Sequence, residues 1–263
     1  MKKLVSLVLT VALALSMSLA FTGCNKADNA TDSETIAKNG KMVIGITVYE
    51  PMNYQEEDGS WTGFDTEFAQ AVCKKLGVEP EFVVINWDNK FIELETGSID
   101  CIWNGMTITD EVKNNADVST PYVKNAQVVV MAADKAESVK SVEELKGLKF
   151  VAEQGSAGEI AIKENGLDEN YIACATQADA LLEVQSGASD ACVIDISMAN
   201  SMTGEGTSYA DLAPSIELTT EEYGIAFRKG SDLTEKVNSI MEELKADGTL
   251  DELAKKYNLT LAF

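Results

Sequence analysis

Histidine is absent from all 263 residues and arginine occurs once, as Arg228. The first absence removes histidine-based triads, histidine metal sites and the commonest general base. Cation of any kind is scarce: 21 basic residues stand against 43 acidic ones, a net charge of −22. That balance excludes nucleic acid, and adsorption to anionic lipid, as the basis of function. The five cysteines, at 24, 73, 101, 174 and 192, lack the spacing of a metal site, and nothing calls for a cofactor. What remains is 45% hydrophobic, enough for a real core, in a length that suits one or two lobes.

The N-terminus carries the clearest local signal. Met1-Lys2-Lys3 precedes an apolar run over 4–21, and Thr22-Gly23-Cys24 follows it. The run is short and broken by Ser6, Thr10, Ser16 and Ser18, so it reads as a secretion signal, not a spanning helix. Residues 1–23 are then the signal peptide, Cys24 carries lipid, and 24–40 form a polar, flexible tether. The folded body is expected from about Lys41. The protein is accordingly exported, held at the outer face of the cytoplasmic membrane by its lipid alone or periplasmic, and monomeric. Cys73, Cys101 and Cys192 read as small buried hydrophobes. The compartment leaves disulfides between 73 and 101 and between 174 and 192 open.

Short β-branched runs alternate with helical periodicity, which predicts an α/β fold with largely parallel sheets. Strands are expected over 42–48, 81–85, 99–103, 127–131, 149–152, 171–173, 191–194 and 224–227. Phe68, Ala71, Val72 and Leu76 make one helix face, and another helix starts after Asp88. Ser141 with Glu144, Ser156 with Glu159 and Asp232 with Glu235 match capping boxes. The segment LETGSID at 94–100 is echoed by VQSGASD at 184–190: a helix end, a glycine, then an aspartate opening a strand. Two similar lobes follow from that echo, with a cleft at the carboxyl ends of their strands.

The residues themselves resemble the extracellular solute-binding proteins of polar amino acid ABC transporters, from Lys41 almost to the end. The resemblance runs through Gly63-Phe64-Asp65, Trp87-Asp88, 94–100, 105–109 (GMTIT), 119–122 (STPY), 145–147 (LKG), Gln154-Gly155-Ser156, 187–195 and 223–227. It implies a two-lobed, periplasmic-binding-protein-like type II fold: lobe 1 from 41–130 plus 221–263, lobe 2 from 133–216, joined by a two-strand hinge. It also implies a non-enzyme that captures an amino acid, or a similar small polar solute, and delivers it to the permease subunits.

Carried over by position, Tyr49 and Trp87 look like aromatic walls around the solute. Asn104, Gly105 and Thr107 match the segment that meets its amino and carboxylate groups. Ser156 and Ala157 lie at a helix N-terminus suited to an anion, and Asp195 matches the partner of its ammonium. One position departs: the family's usual carboxylate-clamping arginine is Val112 here. Glu153, with Asp195, Glu67, Tyr49, Trp87 and Trp103, hints at a cationic solute, so a polyamine or quaternary amine binder, or a sensor, stays open as an alternative; Glu153 and Glu67 read equally well as solvated side chains. A dehydratase-like enzyme on the same scaffold ranks below these, because the chain offers carboxylates without a clear acid–base pair.

Overall fold

The strands fall into two sheets built on one device. β1 (Lys41–Ile46), β4 (Glu79–Val84), β5 (Cys101–Thr107), β6 (Asp117–Val118), β7 (Val123–Asn125) and β13 (Glu221–Phe227) form the first, in the order β4-β1-β5-β13-β6 with β7 also on β13. β8 (Gln127–Ala132), β9 (Phe150–Glu153), β10 (Tyr171–Cys174), β11 (Ala191–Asp195) and β12 (Leu212–Glu217) form the second, in the order β10-β9-β11-β8-β12. A two-stranded ribbon, β2 (Tyr54–Gln55) with β3 (Trp61–Thr62), stands apart. This is a computed structural model that describes residues 30–263; the expected signal peptide 1–23 and Cys24 lie outside the described residues. Among those described, no helix is long and apolar enough to cross a membrane.

The central strands β5 and β11 are apolar and covered on both faces, as parallel strands flanked by helices must be. The sheets are mixed: β1 runs parallel to β4 and β5, and β9 to β10 and β11, whereas β13 and β8 return antiparallel. The echoed segments perform the same task twice. Gly97 and Gly187, at φ of 76° and 75°, end the helices Lys90–Thr96 and Gln177–Gln185 in the left-handed conformation that favours glycine. Asp100 then accepts the Val43 N–H at 2.8 Å, and Asp190 accepts the Lys149 N–H at 2.9 Å. Each aspartate thereby ties its own strand to the neighbouring one at the sheet's entry.

The chain passes between sheets at Ala126 and again over 218–220. The first crossing precedes the expected boundary after 130, because the valines at 128–130 are buried between β11 and β12 and belong to the second sheet. The expected tether is shorter as well. Asp32–Asn39 is a helix with Ile36 buried; Ser33 N–H donates to Asp232 at 3.0 Å and Asp32 pairs with Arg228 at 2.9 Å. Arg228 also reaches Asp100 at 3.4 Å, so the single arginine fastens the N-terminal helix to the first sheet.

Of the three capping boxes only Ser156 caps with its side chain, accepting the Glu159 N–H at 3.2 Å. Val142–Leu145 is only a 3-10 turn, and the Asp232 carboxylate is taken by Ser33. All four described cysteines are free thiols; Cys73, Cys101 and Cys192 are buried, as small hydrophobes, and Cys174 is half-buried.

Candidate functional site: a cleft between the two sheets

The ends of β5, β9 and β11 face one another across a narrow cavity. β5 brings Asn104, Gly105 and Thr107; β9 ends on Glu153; β11 ends on Asp195; the helix Ala157–Glu164 starts there with Ser156 and Ala157; and Trp87 comes from the 3-10 turn Trp87–Asn89. Eight of the nine expected site residues therefore line one space. That space is closed down to about 30 Å³, room for a water or two. Contacts from one sheet's side to the other hold it shut: Lys90 Nζ to the Gly155 carbonyl at 3.0 Å, Gln154 to Asp88 at 3.0 Å, and Ser201 to Glu50 at 3.0 Å.

Tyr49 is the ninth, and it does not line the cavity. Its side chain is buried behind Gly105, and its hydroxyl shares hydrogen bonds of 2.5 Å with Ser197 and with Tyr223. Gly105 explains the displacement: at φ of 54°, a Cβ there would stand 2.5 Å from Tyr49 Cε1. Tyr49 thus supports the wall that the β5 backbone presents. Two other residues of the cationic hint are also elsewhere. Glu67 is bound by Lys256 at 2.6 Å and by the Tyr257 hydroxyl, and Trp103 packs edge-on against Phe68 in the core at 4.8 Å.

The β5 edge is fixed by neighbours that the residue pattern does not announce. Asn104 donates to Thr47 Oγ1 at 2.7 Å and accepts from the Thr47 N–H and Asn53 at 2.9 Å. The Gly105 N–H donates to Asp65 at 2.6 Å, and Tyr122 donates to the same oxygen at 2.9 Å. Burial raises the Asp65 carboxyl to about 7 against those two donors. Thr107 donates to Glu221 at 2.7 Å.

Asp195 is saturated. Oδ1 accepts from Asn125, Gln127 and Tyr223 at 2.5, 2.9 and 2.8 Å, and Oδ2 accepts from Gln177. Asn125 and Gln127 also donate to Glu221, so two carboxylates share one pair of amides where the chain crosses between sheets. Burial, followed by the Glu221 charge, raises Asp195 to about 7.

Glu153 differs from Asp195 in having an oxygen left over. It is 3% exposed, its Oε1 has no hydrogen-bond partner among the described residues, and burial with the Asp195 charge raises its carboxyl to about 8. The reading of Glu153 as a solvated side chain is thus overturned; Glu67 keeps partial exposure but is bound by Lys256 and Tyr257. The helix start at Ser156 is occupied too: Glu159 Oε2 accepts the Gly155 N–H at 2.6 Å, which seats a carboxylate at the positive end of the helix dipole.

Lys90 is the residue the sequence reading missed. Its side chain is 4% exposed, its ammonium lies 4.9 Å from the centroids of both the Trp87 and Phe91 rings, and it donates to the carbonyls of Trp87 and Gly155. One signal was available: Lys90 opens the helix Lys90–Thr96, the end where a cation opposes the helix dipole. A residue that violates a local rule at a strand-end cleft is a functional candidate.

A sequence profile of the bacterial extracellular solute-binding proteins, family 3, matches residues 42–260. The L-cystine-binding protein TcyJ of Escherichia coli (strain K12) is 30% identical over 253 residues, covering 95% of this chain and 92% of the relative. Among solved structures, an ancestral amino acid-binding protein described as a precursor of cyclohexadienyl dehydratase superposes with a TM-score of 0.78 at 35% identity, covering 86% of this chain and 98% of that one. An ancestral arginine-binding protein bound to arginine gives a TM-score of 0.77 at 35% identity, with coverages of 83% and 98%.

Proposed function

The chain belongs to the bacterial extracellular solute-binding proteins of family 3, and on that premise we propose that it captures a free amino acid between its two sheets and passes it to the permease of an ABC importer. One observation carries the reading. Side chains from both sheets, Trp87 and Lys90 on one side with Glu153, Ser156 and Asp195 on the other, meet in a single polar space that contains an aromatic face and charges of both signs. A zwitterion with an aliphatic stem satisfies each of these features; a neutral apolar solute satisfies the aromatic face alone and leaves the charges unpaired. The solute enters when the contacts at Gly155, Gln154 and Ser201 part. Closure then dries the site and strengthens every charged contact within it. The bonds around Asp195, at the crossings between sheets, are the natural pivot.

A screen of apparent melting temperature against the common amino acids tests this. A ligand at 100 times its Kd adds about 2.7 kcal/mol, a shift of roughly 5–10 °C for a protein this size. Silence from every amino acid would refute the proposal. A response confined to polyamines or quaternary amines would favour the second reading, which draws support from Glu111, Glu153 and Asp195 all lining the cavity. The relatives described above are binding proteins, and we extend that to this chain: the solute is released unchanged. Mass spectrometry of the solute after incubation checks it, since a dehydrated product would point to an enzyme. We further propose that the protein works at the membrane surface as a lipoprotein anchored through Cys24. The intact mass of membrane-extracted protein and of Cys24→Ala decides this, because only the unaltered chain should carry added lipid.

A further inference from the structure

Lys90 holds a buried charge with no counter-charge bound to it. Its two hydrogen-bond partners are neutral backbone carbonyls, and among the described residues it forms no ion pair within 4.0 Å. It is also the sole basic side chain among the residues lining the cavity, where Val112 contributes only an apolar surface. A buried ammonium in this state is costly unless a partner arrives. Consistent with that cost, burial lowers its affinity for the proton, although the carboxylates of Glu111, Glu153, Asp88 and Glu159, none of them bonded to it, pull the other way.

The side chains elsewhere in the cleft that could receive an anionic group of a solute are already engaged. At the start of the helix Ala157–Glu164, Ser156 accepts the Glu159 N–H and the Glu159 carboxylate accepts the Gly155 N–H. An arriving carboxylate there would meet a like charge. The Thr107 hydroxyl is committed to Glu221 and the Asn104 amide to Thr47 and Asn53. For a cationic group the contrast runs the other way: Asp195 has four donors, whereas Glu153, lining the same cavity as Lys90, keeps Oε1 unpartnered among the described residues.

From this we infer that Lys90 is the carboxylate anchor of the cleft, with Glu153 receiving the solute's ammonium. The inference rests on the amino-acid reading above and sharpens it: the solute must carry a carboxylate, and removing that group should abolish tight binding. On entry, the solute's carboxylate takes the ammonium that Gly155 O now holds. Lys90 then exchanges a neutral acceptor for a charged one at the moment the cleft dries. The Trp87 and Phe91 rings beneath it keep the ammonium in place during the exchange.

The test is calorimetric titration of the protein with matched pairs, arginine against agmatine and histidine against histamine, each amine being the amino acid without its carboxylate. The unaltered protein should prefer the amino acid of its pair. In Lys90→Met that amino acid should bind roughly 10- to 100-fold more weakly, the worth of a charge-assisted bond, while the amine is unchanged or tighter. Lys90→Gln, which keeps hydrogen bonding to both carbonyls, serves if the Met variant does not fold. Lys90→Arg should retain the preference, and Val112→Arg added to Lys90→Met should restore part of it by returning a cation to the same cavity. Unchanged amino-acid affinity in Lys90→Met and Lys90→Gln would overturn the inference. Equal loss for amine and amino acid would overturn it too, as the mark of a merely structural lysine. If the unaltered protein binds no amino acid at all, the functional reading itself falls and the anchor with it; if it binds one while ignoring Lys90, only the anchor falls.

Discussion

Glu153→Gln should make the protein more stable at pH 8 and bind its solute less well. The carboxyl rises from an ordinary value of 4.5 to about 8, first through burial and then through the Asp195 charge. Between those values the unfolded chain has released the proton that the folded chain keeps. Stability from this group is therefore full below pH 4.5 and is lost as pH rises toward 8. At about 1.4 kcal/mol per pH unit over roughly 3.5 units, the ceiling is about 5 kcal/mol. Glutamine removes this cost of ionisation but leaves amide atoms short of partners in the same place, at about 1–3 kcal/mol. The net expectation is a variant less stable than the unaltered protein at pH 4 and more stable by about 2 kcal/mol at pH 8–9. Urea unfolding of both proteins from pH 4 to 9, followed by circular dichroism, gives the two curves. Curves that stay parallel across the range would refute the reasoning, since they would mean Glu153 titrates alike folded and unfolded. A stabilised variant with weakened binding would show a buried carboxylate kept for the solute at the expense of the fold.

Three other perturbations probe the frame around the cleft. Gly105→Ala meets both a left-handed backbone and a Tyr49 ring atom 2.5 Å from the new Cβ, whereas Gly97→Ala, also left-handed, meets nothing within 4 Å. Thermal unfolding should show the first costing about 2–4 kcal/mol and the second about 1–2 kcal/mol; equal costs would remove the close approach from the account. Arg228→Met releases Asp32 and Asp100 together, so hydrogen exchange should rise in the helix Asp32–Asn39, and unchanged protection would show that Ile36 packing and the Ser33–Asp232 bonds suffice without the arginine. Small-angle scattering should show the same or greater compactness with saturating solute, and expansion on binding would contradict closure around it.

Much of the fold was legible because it rests on local rules. The β-branched runs became strands within a few residues of their expected places, and the repeated glycine–aspartate segments perform one structural task in two sheets. What stayed hidden depends on long-range contacts. The helix Asp32–Asn39 is polar enough to read as tether, and its docking rests on burial of Ile36 and on Arg228 and Asp232, about 200 positions away. β6, β7 and β12 were not anticipated: the first two have two and three residues, and Pro214 interrupts the pattern of the third.

The candidate site divides in the same way. Asn104, Gly105, Thr107, Glu153, Ser156 and Asp195 were picked out through the family resemblance, position by position, and they line the cavity because strand ends and a helix start present them there. Tyr49 was misplaced because it follows β1 in a turn closed on Asn53, whose direction no periodicity gives. Lys90 was overlooked because lysine is ordinarily solvated, and burial against two rings and a carbonyl of the other sheet is visible only in three dimensions.

Calorimetric titration of the protein with the amino acid that most raises its melting temperature decides whether the solute occupies this cleft. The account predicts saturable binding of one solute per chain, weakened by Trp87→Ala on one wall and by Glu153→Gln on the other. Binding left untouched by both substitutions would place the solute outside this cleft and contradict the account.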